Sequence, residues 1–188
     1  ALGLGSIGWC GKNRTGPRGG GSVGNRKAGR VAAEQARFVL WWYAINESGR
    51  FIYRSGVLQR LKGHGKDPLV AVICVVEMLG PCRFAGWAAK DMPERGLRRG
   101  DPVGKVVPNA WIDIAAVTRE QTKSTMMLFA GTISEECKRR NHMGRANFTG
   151  ARITCHGGQR QIRAVTKNPS ALEGSRTTFT VLNETHLW

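Results

Sequence analysis

Apolar residues gather in blocks along this chain, and the blocks differ in kind. Residues 34–45, Glu34-Gln35-Ala36-Arg37-Phe38-Val39-Leu40-Trp41-Trp42-Tyr43-Ala44-Ile45, are apolar on one broad face and predict a helix, closed by a turn over 46–49. Residues 51–58 combine aromatic and branched side chains with a bend at Gly56, the pattern of a strand. The densest run, 69–79, points two ways. Val70, Val72, Ile73, Val75 and Val76 favour a buried strand by propensity. Its length, the Gly80-Pro81 stop and Pro68 at its start favour a helix, the reading adopted here. Being apolar all round, such a helix is buried on all sides.

The second half is more broken. Residues 80–109 read as loop, punctuated by Pro81, Pro93, Pro102 and Pro108. A strand over 111–117 feeds a helix opening at Thr118 and running to about Phe129, where Thr118 and Gln121 have capping-box spacing. Strands follow over 160–166 and 178–182, separated by a polar loop. Strands alternating with helices predict an α/β domain, a mostly parallel sheet with helices on both faces. Residues 1–33 hold ten of the 25 glycines and no amphipathic element, and read as flexible coil.

Composition narrows the partners. A chain of 188 residues suits one domain with a proper core. Its net charge of +16 favours a polyanionic partner, most often nucleic acid. That charge is concentrated: residues 1–33 carry six Lys/Arg and residues 138–167 carry eight, neither with an acid. Solvated segments and a nucleic-acid track are equally good readings of both. Five cysteines without a C-x-x-C pair suggest a reducing compartment, and Cys137, His142, Cys155 and His156 lack the usual zinc spacing. The longest apolar run, 69–76, is far short of the roughly 20 residues a bilayer demands, so no membrane is expected. The opening Ala1 and the end at Trp188, directly after a functional-looking motif, read as a fragment or an excised domain.

Two motifs carry chemistry. Arg60-Leu61-Lys62-Gly63-His64-Gly65-Lys66-Asp67 has the layout of a phosphate-binding loop, G-x-x-x-x-G-K-S/T. Gly65 and Lys66 are in place, Arg60 stands at the first glycine, and Asp67 replaces the hydroxyl residue that holds Mg²⁺. Near the other end, Phe179-Thr180-Val181-Leu182-Asn183-Glu184 resembles the strand-borne acidic motif that meets such loops, with Asn183 in place of its metal-supporting aspartate and Glu184 intact. The departures are complementary. Mg²⁺ takes oxygen ligands, and Asp67 with Asn183 supplies a carboxylate and a neutral amide oxygen, the same formal charge as the standard pair. A ligand exchange between the motifs follows; the alternatives are a decayed site or a loop that never bound phosphate.

With these residues the chain resembles the large terminase subunit of tailed bacteriophages, in particular a group from phages of actinobacteria. The matching stretches are 34–44, 53–87, 111–129 and 157–188, well over half the chain. The resemblance implies a P-loop NTPase fold of the RecA-like, additional-strand type. It also implies an Mg²⁺-dependent ATPase that drives double-stranded DNA into a procapsid. Gly63, Gly65 and Lys66 would hold the phosphates of ATP, with Lys62 and His64 in the same loop. Lys62 sits where many terminases carry an arginine, and His64 is a spacer contributing its backbone N–H. Glu184 would be the general base, Asp67 and Asn183 the metal ligands. Gln35 is placed like the family's adenine-reading glutamine or is a surface residue. His186 is either a coupling residue reporting nucleotide state or an exposed histidine.

The implied partners are double-stranded DNA, the portal protein of the procapsid, the small terminase subunit and other copies in a ring. The implied setting is the host cytoplasm, transiently at the portal. Residues 1–33 and 138–155 match the family poorly, and a reading-frame error would produce such basic segments. On this reading, 34–188 is an ATPase domain ending after its acidic motif, without the family's nuclease domain. Two other readings stand beside it: another P-loop enzyme, such as a helicase or small-molecule kinase, and an inactive basic nucleic-acid-binding module.

Overall fold

The computed structural model describes residues 33–61, 64–166 and 176–183. Its elements in chain order are helices α1 (Ala33–Trp42) and α2 (Lys66–Leu79), strands β1 (Arg83–Trp87), β2 (Pro102–Lys105) and β3 (Trp111–Ala116), helices α3 (Arg119–Thr132) and α4 (Glu135–Arg140), and strands β4 (Arg152–Cys155), β5 (Arg160–Thr166) and β6 (Phe179–Leu182).

The ambiguous run is helical, and its burial explains the ambiguity. Ala71, Cys74, Val75 and Met78 of α2 join Ile112 and Ile114 of β3, Met126 and Phe129 of α3, and Ile162 of β5 in one core. Leu69, Val72, Ile73 and Val76 join Val39 and Tyr43 in a second. With apolar neighbours on both sides, α2 needs no polar face, so its sequence loses the 3.6-residue period that usually marks a helix.

Four strands form one sheet in the order β4-β5-β3-β6. β5 and β6 both run parallel to β3, and β4 pairs antiparallel with β5. Alternation along β3 separates its faces. Ile112 and Ile114 meet the helices, and the described helices gather on that face rather than on both. The opposite face carries Asp113, which is fully buried and tied to Arg163 by two bonds of 2.8 Å. Thr177 donates to the same carboxylate at 2.7 Å. The hydrogen bonds to Asp113 hold the Arg163 guanidinium above its ordinary pKa.

A second buried carboxylate ties the helices together. Glu77 of α2, 2% exposed, accepts a hydrogen bond from Tyr43 at 2.8 Å and pairs with Arg83 at 2.8 Å. The same Arg83 nitrogen lies 3.4 Å from the carbonyl of Thr178, just before β6. Burial opposes charge on Arg83, but the Glu77 carboxylate outweighs it and raises the pKa. Burial, reinforced by Glu77, also pushes the neighbouring Cys82 thiol up to about 12. Cys155 is pushed up to about 11, again mainly by burial. Both stay protonated at neutral pH and are inert as nucleophiles.

Two sequence expectations are corrected. Residues 51–58 do not form a strand: a single bridge joins Ile45 to Phe51, and beyond it Ile52, Tyr53 and Val57 are exposed. Strand propensity counts only with a partner to pair with, and none is present among the described residues. Residues 80–109 are more than loop, because β1 and β2 make an antiparallel hairpin with an irregularity between Phe84 and Gly86. The Phe84 ring lies over Gly49, where a Cβ would come within 2.0 Å of it, so the turn and the hairpin interlock. Beyond these, α4 and β4 fall between Phe129 and Arg160, where the sequence pattern predicts no element. Ser134 caps α4 by accepting from the Cys137 N–H at 3.2 Å.

Candidate functional site

The candidate site lies at the amino end of α2. Gly65 holds a left-handed conformation (φ 70°, ψ 29°) and caps the helix without any side-chain cap hydrogen bond. Most residues meet steric cost there, and glycine does not. The first helical N–H groups of any helix lack intrahelical partners, and the end of the helix carries partial positive charge. Pro68 has no N–H, and the Leu69 N–H is taken by the Gly65 carbonyl at 3.2 Å. The turn at Gly65, Lys66 and Asp67 is therefore where an anion would meet backbone donors.

A cavity of about 200 Å³ opens against this turn. Leu58 and Leu69 give it an apolar wall, Gln35 an amide, and Arg60 and Lys66 positive charge. Gln35 comes from α1, and its Nε2 lies 3.1 Å from where a Cβ on Gly65 would stand, so amide and loop are in close contact. The Lys66 ammonium donates to the Arg60 carbonyl at 2.7 Å, closing the loop on itself. Arg60 also reaches Glu34 of α1, with Nε 3.6 Å from Oε2. The volume is below the roughly 300–1,000 Å³ of most enclosed ligand sites, so it suits part of a nucleotide rather than the whole.

Of the residues named from sequence, Gln35, His64, Gly65 and Lys66 share this cavity. Asp67 is exposed in the first turn of α2 and does not line it. Nor does Asn183, which follows β6 with its N–H bonded to the Ala115 carbonyl at 2.8 Å. Because β6 runs parallel to β3, Asn183 sits at the carboxyl edge of the sheet. Lys62, Gly63, Glu184 and His186 lie outside the described residues. Sequence reading missed Ala33, Glu34, Leu58, Arg60 and Leu69 as lining residues. The only hint for Arg60 was its position at the loop's first glycine.

Other candidate chemistry finds ordinary explanations. Asn141 bonds the Cys137 carbonyl at 2.8 Å and His156 at 3.1 Å, and Cys137 and Cys155 are core residues. Among the described residues no group of three or more His, Cys, Asp or Glu is placed to hold a metal ion. Within the basic stretch, Lys138 pairs with Glu135 at 2.7 Å, Arg140 pairs with Glu136, and Arg160 bonds the Pro108 carbonyl at 3.0 Å. Part of the positive charge thus serves the fold. No helix among the described residues is long and apolar enough to cross a membrane.

The chain is similar to the Gene 13 protein of Mycobacterium phage L5, with 43% identity over 155 residues, 82% of this chain and 24% of that protein. It is similar to the Gene 13 protein of Mycobacterium phage D29 at 41% identity, with the same coverage. The chain thus spans about a quarter of the length of the curated relatives it matches, and its relatives are bacteriophage proteins. No family model matches, and no solved structure does.

Proposed function

We propose that this chain is the ATP-hydrolysing motor part of a phage terminase large subunit, driving double-stranded DNA into a procapsid. The observation that carries the reading is the left-handed Gly65 opening α2, with Lys66 and the Gln35 amide on one cavity. The phage relatives agree with it. The fold, on this reading, is a P-loop NTPase of the RecA-like, additional-strand type.

The residues that line the cavity suit a phosphate-bearing ligand. The backbone at Gly65 and the Lys66 ammonium would hold phosphates, and Gln35 would meet the base of a nucleotide that extends beyond this cavity. Mg²⁺ keeps several waters and needs only one or two protein oxygens, which Asp67 and Asn183 would supply by their chemistry, although neither lines the cavity. ATP with Mg²⁺ supplies a phosphoryl group whose negative charge is partly neutralised by the ion. Lys66 adds a fixed positive charge on that side of the cavity. Glu184 would accept the proton of the attacking water, and His186 would pass nucleotide state onward. Partners on this proposal are double-stranded DNA, the portal protein, the small subunit and further copies in a ring, met in the host cytoplasm.

Titration with a non-hydrolysable ATP analogue, with and without Mg²⁺, tests the site. Magnesium-dependent binding is expected, with Lys66→Ala weakening it at least about tenfold, the loss of one charge-assisted phosphate contact. Binding indifferent to both would favour a basic nucleic-acid-binding module with a vestigial site, a reading supported by the net charge of +16.

A further inference from the structure

We infer that Arg60 is a second phosphate-binding cation of this cavity, held in reserve by Glu34. The inference rests on the phosphate reading of the cavity and adds a residue to it. A phosphate loop normally has glycine at this position, which contributes no side chain. Here an arginine stands there, lines the cavity with Lys66, and is joined to it through the bond from Nζ to the Arg60 carbonyl at 2.7 Å. Two cations lining one small cavity suit a ligand carrying several negative charges.

The Arg60 side chain is partly occupied without being locked. Its Nη1 bonds the Gln59 carbonyl at 2.9 Å, and its Nε faces Glu34 at 3.6 Å. Both side chains of that pair are open to water, at 48% and 75% exposure, so the attraction is screened and weak. Arginine binds phosphate through paired, charge-assisted hydrogen bonds, and a polyphosphate displaces a lone exposed carboxylate from it. Glu34 therefore acts as a competitor for Arg60.

Calorimetric titration of the full chain with inorganic tripolyphosphate, adenosine and a non-hydrolysable ATP analogue tests this. Arg60→Gln is expected to weaken tripolyphosphate about tenfold and leave adenosine unchanged, while Arg60→Lys recovers part of the loss. Glu34→Gln is expected to tighten tripolyphosphate a few-fold, and the double variant to match Arg60→Gln alone, since Glu34 acts only through Arg60. Thermal melts confirm that the variants fold. Tripolyphosphate affinity unmoved by Arg60→Gln, or weakened by Glu34→Gln, overturns the inference. If the analogue binds but is insensitive to Arg60, the nucleotide reading stands and this inference falls. If tripolyphosphate binds through Arg60 and the analogue does not bind, the reverse holds. Binding of neither removes both.

Discussion

At the carboxyl end of α2, Glu77 is 2% exposed and meets Tyr43, Cys82 and Arg83. At its amino end the turn bearing Lys66 and Asp67 borders an open cavity, and the adjoining Glu34–Arg60 pair is exposed to water. The two ends of one helix thus treat charge in opposite ways. The buried carboxylate is fully engaged, and losing a partner there leaves a charge with no water to turn to. The open end has donors and cations whose present partners are weak or local. On the proposed function, a rigid anchor at one end would let the other exchange ligands without loss of the fold.

The largest expected effect tests the anchor. Arg83→Ala leaves the Glu77 carboxylate, 2% exposed, without its counter-charge and should cost about 3–5 kcal/mol in urea unfolding, the range for breaking a buried ion pair. A cost of under about 1 kcal/mol would mean that the network anchors nothing. The next effect belongs to the open end. Asp67→Ser and Asn183→Asp should each lower Mg²⁺-dependent ATP hydrolysis by about tenfold in the whole protein with its procapsid, while the double variant recovers part of the loss. Simply additive losses would falsify the relocated metal site. The smallest effect lies at the open end too. Gly65→Ala forces a Cβ into a left-handed position 3.1 Å from Gln35 and should cost about 1 kcal/mol. It should weaken binding of the ATP analogue more than that stability change explains. Equal effects on both would separate the glycine's conformation from ligand binding.

Much of the framework was legible in the chain. α2, β3, α3, β5 and β6 fall within a few residues of the segments that predict them. Their signals are local, such as Gly80-Pro81 ending α2 or the branched and apolar residues of β3. What failed was non-local. The 51–58 segment has strand chemistry but no strand to pair with among the described residues. The β1–β2 hairpin depends on Phe84 packing over Gly49, more than thirty positions earlier, and no window of sequence displays that contact. Gln35 was legible only as a residue upstream of the loop, and the fold set it against Gly65.

The sequence by itself determined α2, β3, α3, β5 and β6, the glycine that opens α2 and the lysine that follows it. These depend on backbone preferences and side-chain chemistry carried by each residue. Tertiary structure decided which charges are committed and which are available. Glu77 and Asp113 read in sequence as ordinary acids, like Glu34 and Asp67, yet the first two are sealed in ion pairs and the second two face water. A carboxylate's energy depends on whether water or a fixed partner surrounds it, and only packing sets that.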